Sequence, residues 1–320
     1  MEALILTPDS APLTRDIADY PEGIIIPIDK PYRWTSADVI RKVKYAAIRH
    51  FGKKNLKVGH AGTLDPLATG VLLVCIGKAT KLAEELQSHD KEYVAGVTFG
   101  ATTPSYDLEK EIDRFFPHEH ISAEAVEKAL PAFIGEQDQI APLFSAKSVD
   151  GVRAYELARK LYKASAEQSY ELDTAAEQLL RVSRINITEL ELLSFAGRNE
   201  GFMDRATRGT EAGGPQAERS GGVSEANVHE PSSCQHATTA SSRINVTDNS
   251  ALGLPRAEIR MACSKGTYVR AFARDLGEAL GSGAHLDSLQ RSRSGHFRVE
   301  NALTVEQALQ KLQPAFSANS

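Results

Sequence analysis

Apolar residues recur along this chain in two periods, and the switches between them mark out its elements. Val71 to Ile76 is a continuous apolar run rich in β-branched side chains, which predicts a buried strand. Lys91–Phe99 predicts another strand, and Leu179–Phe195 alternates well enough to predict strands around a turn. Val39, Ile40, Val43 and Ala47 repeat at helical spacing behind Ser36, so a helix is expected from Ser36, as N-cap, to about His50. Ser122 stands in the same relation to Ala125, Val126, Ala129 and Leu130. Ala154–Lys163 and Thr304–Leu312 predict two further helices. Residues 1–22, polar and proline-containing, predict a loosely held N-terminal tail.

From about Gly197 to Pro255 the pattern lapses. Gly, Ser, Thr, Ala, Asn and Glu dominate, with few large apolar side chains. Such a stretch cannot bury enough surface to offset the entropy of ordering it, so a disordered insertion is expected. Insertions of this length cost a domain little, because closure entropy grows slowly with loop length. A passive loop is the first reading, and an arm that binds RNA or protein is the second.

A chain of 320 residues holds one large or two modest domains, and 42% hydrophobic with 25% charged residues suits a soluble globular protein. No apolar run approaches the roughly 20 residues that span a bilayer, and Met1–Asp9 lacks the basic start of a secretory leader. Cys75, Cys234 and Cys263 form neither a disulfide framework nor a metal-ligand spacing, which points to the cytoplasm and to no metal. A net charge of −5 argues against a general nucleic-acid binder and against DNA as partner. The charge is uneven, however. Lys30, Arg33, Arg41, Lys42, Lys44, Arg49, Lys53, Lys54 and Lys57 face only Asp38 over residues 30–57, and Arg260, Lys265, Arg270, Arg274, Arg291, Arg293 and Arg298 crowd the last block. Phosphate contact is the functional reading of these stretches, and a solvated helix face is the structural one.

The run Gly59-His-Ala-Gly-Thr-Leu-Asp65-Pro-Leu-Ala-Thr-Gly70 precedes the apolar strand. Gly59, Gly62 and Gly70 allow close approach of another molecule, while Pro66 biases Asp65 toward an extended conformation and so aims its carboxylate. His60 is in reach of the same pocket if the loop folds back. An isolated Asp-Pro is ordinarily a turn, and it is the surrounding string that changes its meaning.

That string resembles the active-site motif of the TruB family of tRNA pseudouridine synthases. Other blocks follow in the family's order: Gly23-Ile-Ile-Ile-Pro-Ile-Asp29-Lys30-Pro31 with Thr35-Ser36, Lys91-Glu-Tyr93, Pro142–Lys147 with Gly151–Arg159, Cys263-Ser-Lys265-Gly266-Thr-Tyr268-Val-Arg270 with Asp275-Leu-Gly277, and Leu289-Gln-Arg291 with Gly295-His-Phe297. Ala61, Phe144 and the segment Gly100–Asp107 depart from the usual pattern, the last being poorer in aspartate than is common. The resemblance implies an α+β protein with the pseudouridine synthase fold, a central, mainly antiparallel mixed sheet flanked by helices and loops around a catalytic cleft. It places the catalytic domain at residues 23–298, interrupted by the 197–255 insertion, then a C-terminal helix and tail at 299–320, with no room for a PUA domain.

Pseudouridine formation breaks the ribose C1′–uracil N1 bond, turns the base and joins C1′ to C5. The chemistry needs no redox step, so no cofactor is expected. By resemblance Asp65 is the nucleophile, Arg270 its cationic partner and Tyr93 packs on the flipped base with a role in proton transfer. Tyr268 bounds the pocket and hydrogen-bonds near Asp65, His60 fills the space the base leaves, Leu289 forms an apolar wall and Lys30 supports the site. The implied substrate is uridine 55 in the T-arm stem-loop of tRNA, handled by a monomer. An RNA-folding chaperone module and a synthase of different uridine specificity share the same residues as alternatives.

Overall fold

The computed structural model describes residues 2–142, 148–149, 152–153, 182–197, 244 and 246–313. The predicted helix at Ala154–Lys163, most of the predicted insertion and Cys234 lie outside the described residues.

In chain order the strands are β1 (Leu4–Ile5), β2 (Ile24–Lys30), β3 (Val58–Ala61), β4 (Ala68–Ile76), β5 (Lys91–Phe99), β6 (Ala101–Thr102), β7 (Arg114–Phe115), β8 (Gly135–Ile140), β9 (Ser148–Val149), β10 (Val152–Arg153), β11 (Val182–Ala196), β12 (Arg256–Cys263), β13 (Ala284–Ser294) and β14 (Phe297–Arg298). The helices are α1 (Ser36–Phe51), α2 (Ala83–Ser88), α3 (Ala123–Ala129), α4 (Val269–Ala279) and α5 (Val305–Lys311). One sheet runs β1-β2-β4-β13-β5-β12-β11-β8, with β3 beside β4 and β14 beside β13. Among the described residues only the β1–β2 and β4–β13 strand pairs of this sheet are parallel, so it is the mixed, mainly antiparallel sheet that the resemblance implied.

β4 is buried on both faces, and its continuous apolar run follows from that position. Leu72, Val74 and Ile76 join the large core under α1, α4 and α5, while Val71, Leu73 and Cys75 pack on the other face with Ile25, Leu86 and Phe297. Burial pushes the Cys75 and Cys263 thiols up to about 11, as suits inert core residues.

Three expectations change in detail. The N-terminal stretch is knit into the fold rather than loosely held. Leu4 and Ile5 pair with Ile24 and Ile25, Leu6 and Leu13 are core residues, and the Lys311 ammonium of α5 holds the carbonyls of Pro8 and Ser10. Helix α1 is capped by Thr35, one residue before Ser36, in a reciprocal box: the Thr35 hydroxyl accepts from the Asp38 amide at 3.0 Å and Asp38 Oδ2 accepts from the Thr35 amide at 3.1 Å. Val182–Ala196 is one strand instead of two around a turn. It pairs with β8 along its first half and β12 along its second, with register shifts at Ile187/Glu189 and Leu192/Ser194. A bulge puts the side chains after it out of phase, and a period-two pattern that loses phase looks like a turn.

Candidate active site

The Asp65 loop occupies a gap in the sheet. On one edge of β4, Ala68–Gly70 pair with β13 and Leu73–Ile76 with β3, so the edge changes partner at Val71–Leu72. Residues 62–67 cross that junction. Arg291 of β13, buried to 1% exposure, fills it: Nε donates to the Val71 carbonyl at 2.7 Å and Nη2 to that of Gly62 at 3.1 Å. Gly70, at φ 96°, lies so close to β13 that a Cβ there would meet the Arg291 carbonyl oxygen at 2.2 Å.

From below, Lys30 is fully buried and its ammonium donates to the carbonyls of Pro31, Trp34 and Pro66 at 3.0, 2.6 and 3.2 Å. Burial pulls its pKa down to about 8, against the opposing pull of Asp65. The Ser36 hydroxyl, which Thr35 has relieved of capping, accepts from the Leu64 amide at 3.0 Å and donates to the Leu64 carbonyl at 3.2 Å. Asp29 Oδ1 accepts from the Gly70 amide at 3.0 Å. The residues on both sides of Asp65 are therefore fixed by side chains from three separate elements, β2, α1 and β13.

Arg270, in the first turn of α4, meets Asp65 with Nε 2.9 Å from Oδ2. The guanidinium is 6% exposed and the Asp65 side chain 40%. Arg270 is itself held from behind: Nη1 donates to the Ser105 carbonyl at 3.1 Å and lies 3.4 Å from Asp107 Oδ2. Asp107 Oδ1 accepts from the Ser105 hydroxyl at 2.6 Å and the Glu109 amide at 2.9 Å. Burial raises the Asp107 carboxyl and pushes Glu109 up to about 7, with Asp107 adding to the Glu109 shift and Arg270 opposing both. One fixed cation thus serves three acidic groups, of which Asp107 is buried and Asp65 lines the cleft.

Register brings the other groups to this pair. Tyr93 of β5 lies directly opposite Arg291 of β13, and Leu289 is two residues back on the same face. Tyr93, Leu289, Arg291, Tyr268, Lys91 and Lys265 line an open cleft with Asp65 and Arg270, with room for about 790 Å³ of solvent. Tyr93 is buried, which raises its phenol pKa, while the Arg291 charge opposes the rise. Tyr268 is set by Gln139, whose Oε1 accepts from the Tyr268 amide at 2.8 Å. A smaller recess on the other side of the pair shares Asp65, Arg270 and Leu289 and adds Asp107, Leu286 and Ser288.

Two of the expected site residues are not on the cleft wall. Lys30 lies beneath the loop, as described. His60 sits in β3, half-buried; burial lowers its pKa, as does the Arg291 charge, and a Gly62 backbone hydrogen bond opposes them. Arg291, Asp107, Glu109 and Ser36 were not singled out as site residues from sequence. Arg291 stood in the resemblance block but reads there as one more basic residue, and Asp107 and Ser36 belong to polar, turn-prone segments where such residues are common.

The basic stretches also divide. Arg270 and Arg291 are buried, Arg274 is tied to Asp275 and the Ile140 carbonyl, and Arg260 reaches Glu92, Glu189 and Glu191. Arg41, Lys42, Lys44 and Arg49 are exposed on α1, where Lys42 lies over the Trp34 ring at 4.9 Å and Arg49 over Tyr45 at 5.6 Å. Among the described residues no helix is long and apolar enough to cross a membrane.

Residues 49–210 match the family model described as the TruB family pseudouridylate synthase N-terminal domain, and residues 270–316 match that of the tRNA pseudouridylate synthase B C-terminal domain. A tRNA pseudouridine synthase B of Phocaeicola vulgatus is 44% identical over 288 residues, which is 90% of this chain and 92% of that protein. One of Flavobacterium johnsoniae is 37% identical over 92% of this chain and 98% of its own length. Among solved structures, a Cbf5-Nop10-Gar1 complex aligns with 98% of this chain and 70% of the matched one at TM-score 0.52 and 21% identity, a likeness of fold.

Proposed function

The chain belongs to the TruB family of pseudouridylate synthases, and from that premise we propose that it isomerises uridine 55 in the T loop of tRNA to pseudouridine with Asp65 as nucleophile. The observation that carries this reading is the Asp65–Arg270 pair. A carboxylate with one oxygen held 2.9 Å from a buried guanidinium, and with its side chain 40% exposed to a cleft, is aimed and accessible at once.

The remaining groups support the steps. Taking the uridine out of the RNA stack costs a few kcal/mol, and stacking on an aromatic ring returns about 1–3 kcal/mol per base. Tyr93 packs against the flipped base and takes part in proton transfer, Tyr268 bounds the pocket beside Asp65, and Leu289 closes it with an apolar wall. His60, its charged form disfavoured by burial, fills the space the base has left. Lys30 acts through Pro66 by holding the loop, without touching the RNA. The exposed cations of α1 meet the phosphates of the T arm, so binding weakens with salt. The enzyme works as a monomer in the cytoplasm, a state that sedimentation checks directly.

The test is isomerisation of a T-arm stem-loop by the wild type and by Asp65→Asn. Wild-type turnover with none in the variant is expected. Full activity of Asp65→Asn overturns the nucleophile, and a wild type that ignores the stem-loop but modifies another RNA overturns the T-loop specificity.

A further inference from the structure

Arg33 carries φ of 64°. That is the left-handed region, which glycine enters freely and an arginine side chain resists. Such strain persists only where the surroundings impose it, and it gathers at functional sites. Here the surroundings are specific. The Arg33 amide donates to the Pro66 carbonyl at 3.0 Å, the carbonyl that Lys30 also holds, so the backbone of Arg33 is pinned to the residue after Asp65.

The side chain reaches the other way. Nη2 donates to the Ile244 carbonyl at 2.7 Å, and Nε is buried with no partner among the described residues. Close to Ile244 in the chain, the Thr247 amide donates to the Leu108 carbonyl at 2.9 Å. Leu108 sits between Asp107, which backs Arg270, and Glu109. The segment then turns at Ser250–Leu252, where Asp248 Oδ1 accepts from the Ser250 amide at 3.0 Å, and enters β12. Its two attachments therefore reach the reactive ion pair at one remove: one is on Arg33, whose amide holds Pro66 of the Asp65 loop, the other is on the loop that carries Asp107, which backs Arg270. Neither attachment touches Asp65 or Arg270 directly.

We propose that Arg33 is a positioning residue, tying Ile244 and Thr247 across the Asp65 and Asp107 loops so that the Asp65 carboxylate stays in line with Arg270. The proposal rests on the isomerase reading above for its kinetic consequence. Near-attack geometry is sensitive: misplacement of about 1 Å can cost on the order of a hundredfold in rate.

Arg33→Gly separates positioning from mere folding, because glycine accepts the φ of this site while losing the guanidinium. The expected result is a melting temperature no lower than wild type, affinity for a T-arm stem-loop within about twofold, and a single-turnover isomerisation constant reduced about 10- to 100-fold. Arg33→Lys, which keeps a donor, is expected between the two. Thr247→Pro removes the second attachment and is expected to slow the reaction as Arg33→Gly does, with the double variant little slower than either single one. An Arg33→Gly variant as fast as wild type overturns the proposal, and so does a rate loss matched by an equal loss of RNA affinity, which would make Arg33 an RNA contact. Amide exchange supplies a readout that needs no turnover. In Thr247→Pro, exchange at Leu64 and Gly70 is expected to quicken, and unchanged exchange there overturns the proposal whichever RNA the wild type modifies.

Discussion

Arg270 and Arg260 both draw carboxylates around one guanidinium, yet they do so in different surroundings. Arg260, on β12, reaches Glu92, Glu189 and Glu191 at 3.4, 3.1 and 2.8 Å from an exposed sheet face, and its own side chain is 33% open. Arg270, on α4, holds Asp65 and Asp107 at 2.9 and 3.4 Å and is 6% open. Water screens the first network, so each of its pairs contributes little, about 0–1 kcal/mol. In the second the guanidinium and Asp107 are both buried, so the position of the cation is imposed by its surroundings. Counting acidic neighbours does not tell the two apart, since Glu109 also acts on Arg270. Burial does, because a guanidinium with nowhere else to turn can aim a carboxylate, whereas one at the surface only neutralises its neighbours.

The largest expected effect tests that contrast at its centre. Arg270→Lys keeps the charge and loses the planar fork that spans Asp65, Asp107 and the Ser105 carbonyl. Isomerisation is expected to fall about 100-fold or more through kcat, measured on a T-arm stem-loop; near-normal turnover would show that charge alone suffices. Arg291→Met follows. It leaves the carbonyls of Gly62 and Val71 buried without their donor, at roughly 1–3 kcal/mol for each unsatisfied group, so denaturant unfolding should show a loss of about 2–5 kcal/mol with lowered activity.

Glu109 gives a smaller effect that depends on pH. Its carboxyl is raised from 4.5 to about 7, by burial first and by Asp107 next. The folded state therefore binds a proton that the unfolded state has released, and this contribution is fully present below pH 4.5 and lost as pH rises through 7. Glu109→Gln should match wild-type thermal stability near pH 4.5 and exceed it at pH 8; parallel profiles would remove Glu109 from the buried group. The smallest effect belongs to Arg260→Ala, expected to change stability by no more than about 1 kcal/mol and kcat not at all. A kcat loss there would erase the distinction between the two arginines.

Much of the architecture was legible because it is local. The apolar run at Val71–Ile76, the strand at Lys91–Phe99 and the helical spacing of Val39, Val43 and Ala47 all appear where they were expected. Boundaries shifted where two residues competed for one role, as Thr35 did with Ser36, or where a bulge changed the phase of β11. The glycine and proline frame marked Asp65 as constrained but read alone as a turn; its place in the site, like that of Arg270, Tyr93, Tyr268 and Leu289, came from the resemblance, and the fold gathers all five around one cleft. Lys30 and His60, expected at the site, lie off the cleft wall, Lys30 beneath the Asp65 loop, since neither periodicity nor motif says which way a polar side chain turns.

The sequence by itself determined several of the strands and helices, Val71–Ile76, Lys91–Phe99 and the helix after Thr35 among them, and which carboxylate stands in a constrained loop, for these depend on spacing and backbone preference along a few residues. Tertiary structure decided what each charge does. Arg291, Arg260 and Lys42 are equally basic on paper, yet one fills the gap where β4 changes partner, one bridges surface glutamates and one lies over an indole ring in solvent. The difference is the dielectric and the set of unpaired carbonyls around each side chain, and those exist only once strands far apart in sequence have been brought into register.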